Sequence, residues 1–262
     1  MGVHQPTGAG LVRPGADGQN HGHRRGPGRP RSRGDTQAQH GVKIALNKAH
    51  YPVTVLGPGQ RIGLWFQGCS IQCPGCVSQD TWAFDRGRET TVASILSWAR
   101  EVSADQPEGV TLTGGEPFDQ PKALAALLDA LAHWRRQKKL DFDILAYSGY
   151  PLARLQQKHA RLLARLDALI PEPFHQALPL SHLWRGSSNQ PLVPLSPRGL
   201  TRYAPYLDAP AATDRRLQLG ADGERLWFVG IPGRGDMDAV AARLREDGVE
   251  LGEASWREGK VR

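Results

Sequence analysis

A chain of 262 residues with 39% apolar and 23% charged residues has enough apolar surface for one well-packed core. It contains no run of about eighteen uninterrupted apolar residues, so no membrane span is expected, and its first residues lack the apolar stretch of a secretory signal. The net charge of +7 is unevenly spread: Arg13, Arg24, Arg25, Arg29, Arg31 and Arg33 face only Asp17 and Asp35 within residues 1–40, so more than half of the excess sits there.

Residues 1–41 are rich in Gly, Pro, Arg, Gln and His and poor in apolar side chains. A segment of that composition buries too little surface to offset its ordering entropy, so a disordered leader is expected, and a misplaced start codon would give the same pattern. With the charge confined there, nucleic acid is not expected as a partner.

From residue 42 the pattern changes. His50-Tyr51-Pro52-Val53-Thr54 and Ile62-Gly63-Leu64-Trp65-Phe66-Gln67 read as strands around a turn at Gly57-Pro58-Gly59. Val92, Ile95, Leu96, Ala99 and Val102 recur at helical spacing. Val110-Thr111-Leu112-Thr113 is a short strand ending in Gly114-Gly115-Glu116-Pro117. Leu124, Leu127, Leu128, Leu131 and Trp134 mark a second helix, with Asp119 as its expected N-cap and Pro121 in the first turn. Phe142 to Tyr147 is the next strand, Leu152 to Leu166 a third helix, and Ala168-Leu169-Ile170 another strand. Beyond about residue 175 the periodicity loosens. Arg216 to Leu219 and Arg225 to Val229 flank Asp222-Gly223, a hairpin signal, and a last helix is expected from near Asp236 to Gly248.

Strands alternating with helices point to a parallel sheet with βα crossovers, whose functional loops gather at the C-terminal ends of the strands. The boundaries expected are a leader over 1–41, a core over 42–212 and a hairpin–helix extension over 213–262.

The only three cysteines, Cys69, Cys73 and Cys76, lie within eight positions. An odd number on one short loop argues against a disulfide framework, and the reducing cytoplasm is the natural compartment for such thiols. Three thiolates can take three corners of a cubane [4Fe–4S] cluster, leaving one iron open to a chelating ligand. A structural zinc site is the competing reading and needs a fourth ligand such as His50 or His175.

Cys69-x3-Cys73-x2-Cys76 after one strand and Gly114-Gly115-Glu116-Pro117 after the next resemble the radical S-adenosylmethionine superfamily. Cys73-Pro74-Gly75-Cys76 followed by Gln79-Asp80-Thr81-Trp82, and Trp184-Arg185-Gly186-Ser187-Ser188-Asn189-Gln190 further on, resemble the activating enzymes of glycyl radical enzymes, the anaerobic ribonucleotide reductase type above all. The resemblance implies an α/β fold, a partial (β/α) barrel of radical S-adenosylmethionine type, here with a C-terminal β-hairpin and helix. It implies one [4Fe–4S] cluster on Cys69, Cys73 and Cys76, with S-adenosylmethionine chelating the open iron. By the same resemblance the reduced cluster would pass one electron to the sulfonium, releasing methionine and a 5′-deoxyadenosyl radical that would take hydrogen from a glycine of a partner enzyme. Gly114, Gly115 and Glu116 are then expected near the methionyl group, Tyr147 and Ser148 near the ribose or amino-acid portion, Arg185 near the carboxylate, and Ser187 and Asn189 near the carboxylate or a partner chain. Trp82 is expected either to face the adenine or to belong to the core. An electron donor such as a flavodoxin or a ferredoxin is implied.

The activases commonly carry Asp-Gly after the fourth strand, where this chain has Ile170-Pro171-Glu172-Pro173-Phe174. Two other readings stand beside the activase: a radical S-adenosylmethionine enzyme that modifies another protein or peptide, and a non-catalytic iron–sulfur module.

Overall fold

The computed structural model describes residues 41–211, 217–222, 225–252 and 254–256. The leader expected over 1–41 therefore lies outside the described residues save for Gly41. The described chain runs β1 (Lys43–Val53), β2 (Arg61–Phe66), β3 (Glu89–Thr91), α1 (Val92–Val102), β4 (Gly109–Gly114) and α2 (Pro121–Gln137). It continues with β5 (Asp143–Tyr147), α3 (Leu152–Leu163), β6 (Ala168–Ile170), β7 (Val193–Pro194), α4 (Pro197–Tyr203), β8 (Leu217–Asp222), β9 (Arg225–Gly230) and α5 (Asp236–Glu246).

Seven strands form one mixed sheet in the order β3-β1-β2-β4-β5-β6-β7. The stretch β2-β4-β5-β6 is parallel throughout, each strand beside its predecessor in the run. β1 joins it antiparallel, because the chain reverses within the short span 54–60, and it is longer than its sequence suggests, starting at Lys43. β7 closes the other edge, also antiparallel. The described residues thus form a mixed α/β fold around a parallel run.

Strand residues alternate between two faces, as the period of two requires. Leu64, Phe66, Leu112, Ile144 and Ala146 point to one side, into a core with Ile95, Leu96 and Ala99 of α1, Leu124, Leu127, Leu128 and Leu131 of α2, and Leu155 and Leu162 of α3. The intervening residues serve the other face. Leu145, Ala168 and Ile170 meet Trp184, Leu192 and Tyr203, while Trp65 meets Val53, Val55, Leu56 and Val229. Val229 of β9 therefore sits in the core of the main sheet. The pair β8 and β9 is antiparallel, from Leu217 opposite Gly230 to Asp222 opposite Arg225.

Helix starts are set by side chains. Thr91 caps α1 by accepting from the Ser94 N–H at 3.1 Å, which satisfies one donor the helix leaves open. α2 starts one residue later than expected: Gln120 is its N-cap and Pro121 its first residue. Asp119 is diverted elsewhere, into contacts with the cysteine loop.

The N-terminal edge of the parallel run is locked by one buried ion pair. Arg61, at the start of β2, reaches past β4 to Asp143 at the start of β5, in a bidentate pair of 2.7 and 2.9 Å. Its other donations go to Thr111 Oγ1 at 2.7 Å and to the carbonyls of Pro58 and Val110 at 3.0 Å, so all five guanidinium N–H groups are used. Arg202 (3.0 Å) and the Tyr203 hydroxyl complete the carboxylate's shell. Gly109 makes room for this crossing, since a Cβ there would lie 2.0 Å from Arg61 Nη1. Asp143→Ala leaves a fully buried guanidinium without its counter-charge and is expected to cost about 3–5 kcal/mol, measured by urea unfolding of the metal-free chain.

Candidate iron–sulfur site

Because β2, β4, β5 and β6 run parallel, the loops that follow them emerge at one edge of the sheet. These are the cysteine loop, Gly114-Gly115-Glu116-Pro117, Tyr147-Ser148-Gly149-Tyr150, and the segment from Pro171 to His175. Four stretches separated by up to a hundred residues in sequence become neighbours.

The cysteine loop is tied down at its start. Gln67 N–H donates to Ala45 O, Gly68 N–H to Thr81 O (2.7 Å) and Cys69 N–H to Trp82 O (3.0 Å). The Gln67 side chain accepts from Asn47 (2.8 Å) and donates to Ala83 O (2.6 Å), so β1 and the strand-following loop hold the same residue. Lys48, almost fully buried, pairs with Asp80 at 3.2 Å beneath the loop. Burial is the main reason its pKa falls from the ordinary lysine value, with the Asp80 carboxylate opposing that fall.

All three cysteines are free thiols. Desolvation raises each thiol pKa, that of Cys76 to about 11. Each sulfur also faces hydrogen-bond donors: backbone N–H groups of Gln72 and Ile71 for Cys69, of Phe174 for Cys73, and the Ser78 N–H (3.4 Å) with the Trp82 side chain for Cys76. Donors aimed at sulfur favour the thiolate over the thiol and tune a cluster that it binds. Among the described residues, no three His, Cys, Asp or Glu side chains close around a single ion. A cubane seats each thiolate on a different iron, so its ligands stand further apart than those of one ion. The His50 ring rests on the Trp227 ring at 4.3 Å.

Gly114 and Gly115 are required by close approach. Gly114 has φ of +97°, and a Cβ there would lie 2.6 Å from Phe66 N; one on Gly115 would lie 2.2 Å from Gly68 O. The two loops meet backbone to backbone, with Gly115 N–H on Phe66 O and Glu116 N–H on Gly68 O, both at 2.9 Å.

Glu116 is buried, and its carboxylate accepts one donor from its own turn and the rest from the loop after β5. Phe118 N–H donates at 2.9 Å, Ser148 Oγ at 2.9 and 3.0 Å to the two oxygens, and Gly149 N–H at 2.8 Å. Its role is to join the loops after β4 and β5. Desolvation outweighs these donors and raises its pKa to about 7. A second network lies beside it: Asp119 accepts from Ser70 N–H (2.7 Å) and from the Tyr150 hydroxyl (2.5 Å). Asp119 reads in the sequence only as a helix cap and Ser70 not at all, and only the fold shows that they bridge two loops.

The remaining expected residues hold the scaffold. Tyr147 donates to Trp184 O at 2.9 Å, and its burial raises the phenol pKa. Arg185 donates to Tyr206 O (3.1 Å) and Leu207 O, while its buried Nε has no partner. Ser187 accepts from His175 N–H (3.1 Å) and donates to Asn189 Oδ1 (2.7 Å), and Asn189 donates to Pro173 O (2.8 Å). Gln190 donates to Glu172 O at 2.9 Å. Ser187, Asn189 and Gln190 clamp the loop whose Phe174 N–H faces the Cys73 sulfur. Glu172, within the Pro-Glu departure, adopts φ of +82° and accepts from Leu152 N–H at 2.9 Å, capping α3.

The model of the 4Fe-4S single cluster domain matches residues 55–193, about half of the chain. The anaerobic ribonucleoside-triphosphate reductase-activating protein of Enterobacteria phage T4 is 33% identical over 138 residues, covering 53% of this chain and 86% of that protein. Those of Vibrio cholerae and Escherichia coli K12 are 34% and 32% identical over 146 residues, covering 54% of this chain and 92% and 93% of theirs. The chain belongs to this family of radical S-adenosylmethionine activating proteins. The structure of QueE from Escherichia coli aligns with 53% of the chain and 75% of its own, at 14% identity and a TM-score of 0.38. As a member of the activating-protein family the chain is an enzyme, and among its described residues no helix is long and apolar enough to cross a membrane. The family match ends at residue 193, so β8, β9 and α5 lie beyond it.

The Glu116 environment predicts a pH signature in the metal-free chain. An unfolded carboxyl ionises near its model value of 4.5, whereas the folded one keeps its proton to about 7. Between those values the unfolded state binds fewer protons, so this group's contribution to stability is complete below about 4.5 and is lost as pH rises to about 7. Glu116→Gln is expected to remove that contribution, and to lower stability at pH 5 by about 1–3 kcal/mol because its amide N–H₂ opposes a donor. Urea unfolding of both proteins across pH 4.5–8 measures it.

Proposed function

We propose that the chain cleaves S-adenosylmethionine reductively at a cluster held by Cys69, Cys73 and Cys76, and that the product radical takes hydrogen from a glycine of a partner enzyme. The observation that carries this reading is the backbone contact between Gly115-Glu116 and the Gly68-Cys69 turn, which puts the two motifs at one edge of the sheet. When bound, a [4Fe–4S] cluster supplies the electron that breaks the sulfonium's bond to the 5′-carbon.

The chain's own groups orient and shield. Cys69, Cys73 and Cys76 are the ligands, and the N–H groups at their sulfurs stabilise thiolate charge. Gly114 and Gly115 leave backbone room for the methionyl group. Glu116 and Ser148 act by holding the loops that line the site, and Tyr147 by fixing Trp184. Ser187 and Asn189 act through the Glu172–His175 loop, whereas Arg185 is tied to the Tyr206 and Leu207 carbonyls, and its unpartnered Nε is the group that an anionic carboxylate would recruit.

We read residues 42–212 as the catalytic core, a partial (β/α) barrel with α1, α2 and α3 outside and Trp65, Leu145 and Ile170 facing inward. Residues 213–262 we read as a hairpin–helix extension of that core. The names of the relatives favour an anaerobic ribonucleotide reductase as the partner, with a flavodoxin or ferredoxin as the electron donor.

Anaerobic reconstitution with iron and sulfide, followed by a strong reductant and S-adenosylmethionine, is expected to release 5′-deoxyadenosine. Cys73→Ala is expected to abolish release, and Gly115→Ala to reduce it at least tenfold through the displaced Gly68 carbonyl. A fully loaded cluster that yields no 5′-deoxyadenosine would falsify the proposal.

A further inference from the structure

Residues 217–256 lie beyond the matched family domain, yet they are not a separate appendage in contact terms. They begin on β1: Gln218 donates to Pro52 O at 2.8 Å and accepts from Thr54 N–H at 3.2 Å, and Val229 enters the core beside Val53 and Trp65. They end on the cysteine loop. Gln79 N–H donates to Ser255 O at 3.1 Å, and the Ser255 hydroxyl donates to Val77 O at 3.3 Å. Trp256 stands edge-on to Phe228 of β9, with ring centroids 5.3 Å apart, so this last stretch is braced by the strand pair. On the other flank of Cys76, Gly75 leaves space filled by the Gln176 side chain, and Arg234 donates to Gln176 O at 2.7 Å.

Cys76 is therefore bracketed on both sides by one element. Val77 and Gln79 are held through Ser255, and Gly75 is held through Gln176 and Arg234. We infer that the C-terminal extension is a clamp that positions the Cys76 flank of the cysteine loop, with Ser255, Trp256 and Arg234 as its positioning residues. It leaves Cys76 half-buried, with Gly75 still exposed beside it. The clamp rests on the reading of Cys76 as a cluster ligand, but its effect on the loop exists without the cluster.

The test is site-resolved alkylation of the metal-free full-length chain by iodoacetamide, read by mass spectrometry at each cysteine. Trp256→Ala is expected to speed labelling of Cys76 roughly five- to thirtyfold, the change in open population that follows loss of one or two stabilising contacts. Arg234→Ala gives a smaller rise in the same direction, and Trp256→Phe, which keeps a ring against Phe228, stays close to the parent. Cys69 and Cys73 keep their rates. In the reconstituted protein Trp256→Ala is expected to lose iron faster to a chelator and to alter the electron paramagnetic resonance line shape of the reduced cluster. Unchanged Cys76 labelling in both alanine variants overturns the clamp. So does an equal rise at all three cysteines that tracks a fall in thermal midpoint. If the parent chain takes up no cluster, the cluster reading fails on its own, while the labelling still decides the clamp.

Discussion

A carboxylate buried among loops has to be given donors, and Glu116 receives all of its hydrogen bonds from backbone and hydroxyl groups around it. Leaving any of those donors or the carboxylate unpaired in a buried setting is costly, so the loops after β4 and β5 are held in one arrangement. The cysteine loop is drawn into the same arrangement through the Glu116 N–H on Gly68 O and through Asp119 on Ser70. The site's geometry rests on this joint. Desolvation raises the thiols beside it, so each of them must give up a more tightly held proton on binding a metal centre.

The two edges of the parallel run divide the work. At the N-terminal edge Arg61 and Asp143 span three strands with every guanidinium donor used. At the C-terminal edge the loops carry glycines at close approach, free thiols, and an arginine with an unpaired buried Nε. A rigid base lets the opposite edge hold strained or incompletely paired groups, such as the positive φ at Glu172. Residues 184–190 belong to this scheme as a brace for the loop after β6, and the extension from β8 onward braces the flank of Cys76.

Much of this was legible from local pattern. The helical spacing of Val92 to Ala99 and of Leu124 to Leu131, and strands β2, β4 and β5, each ending within one residue of expectation, follow from side-chain period, because burial against one core imposes that period. The start of β1 at Lys43 was not legible, since Lys43-Ile44-Ala45-Leu46-Asn47-Lys48 mixes polar and apolar residues, and its pairing with both β2 and β3 makes it a strand. Asp119 reads as a helix cap by residue type. It serves instead as the acceptor for Ser70 and Tyr150, a choice made by which donors the fold brings near.

The sequence by itself determined the three thiols, their spacing, the absence of a fourth cysteine, and the order of the motifs along the chain, because ligand chemistry and loop length are local properties. Tertiary structure alone decided what each polar side chain faces. Glu116 turns to Ser148 and Gly149, and Asp119 to Ser70, because those partners are assembled only when distant strand ends meet at one edge of the sheet.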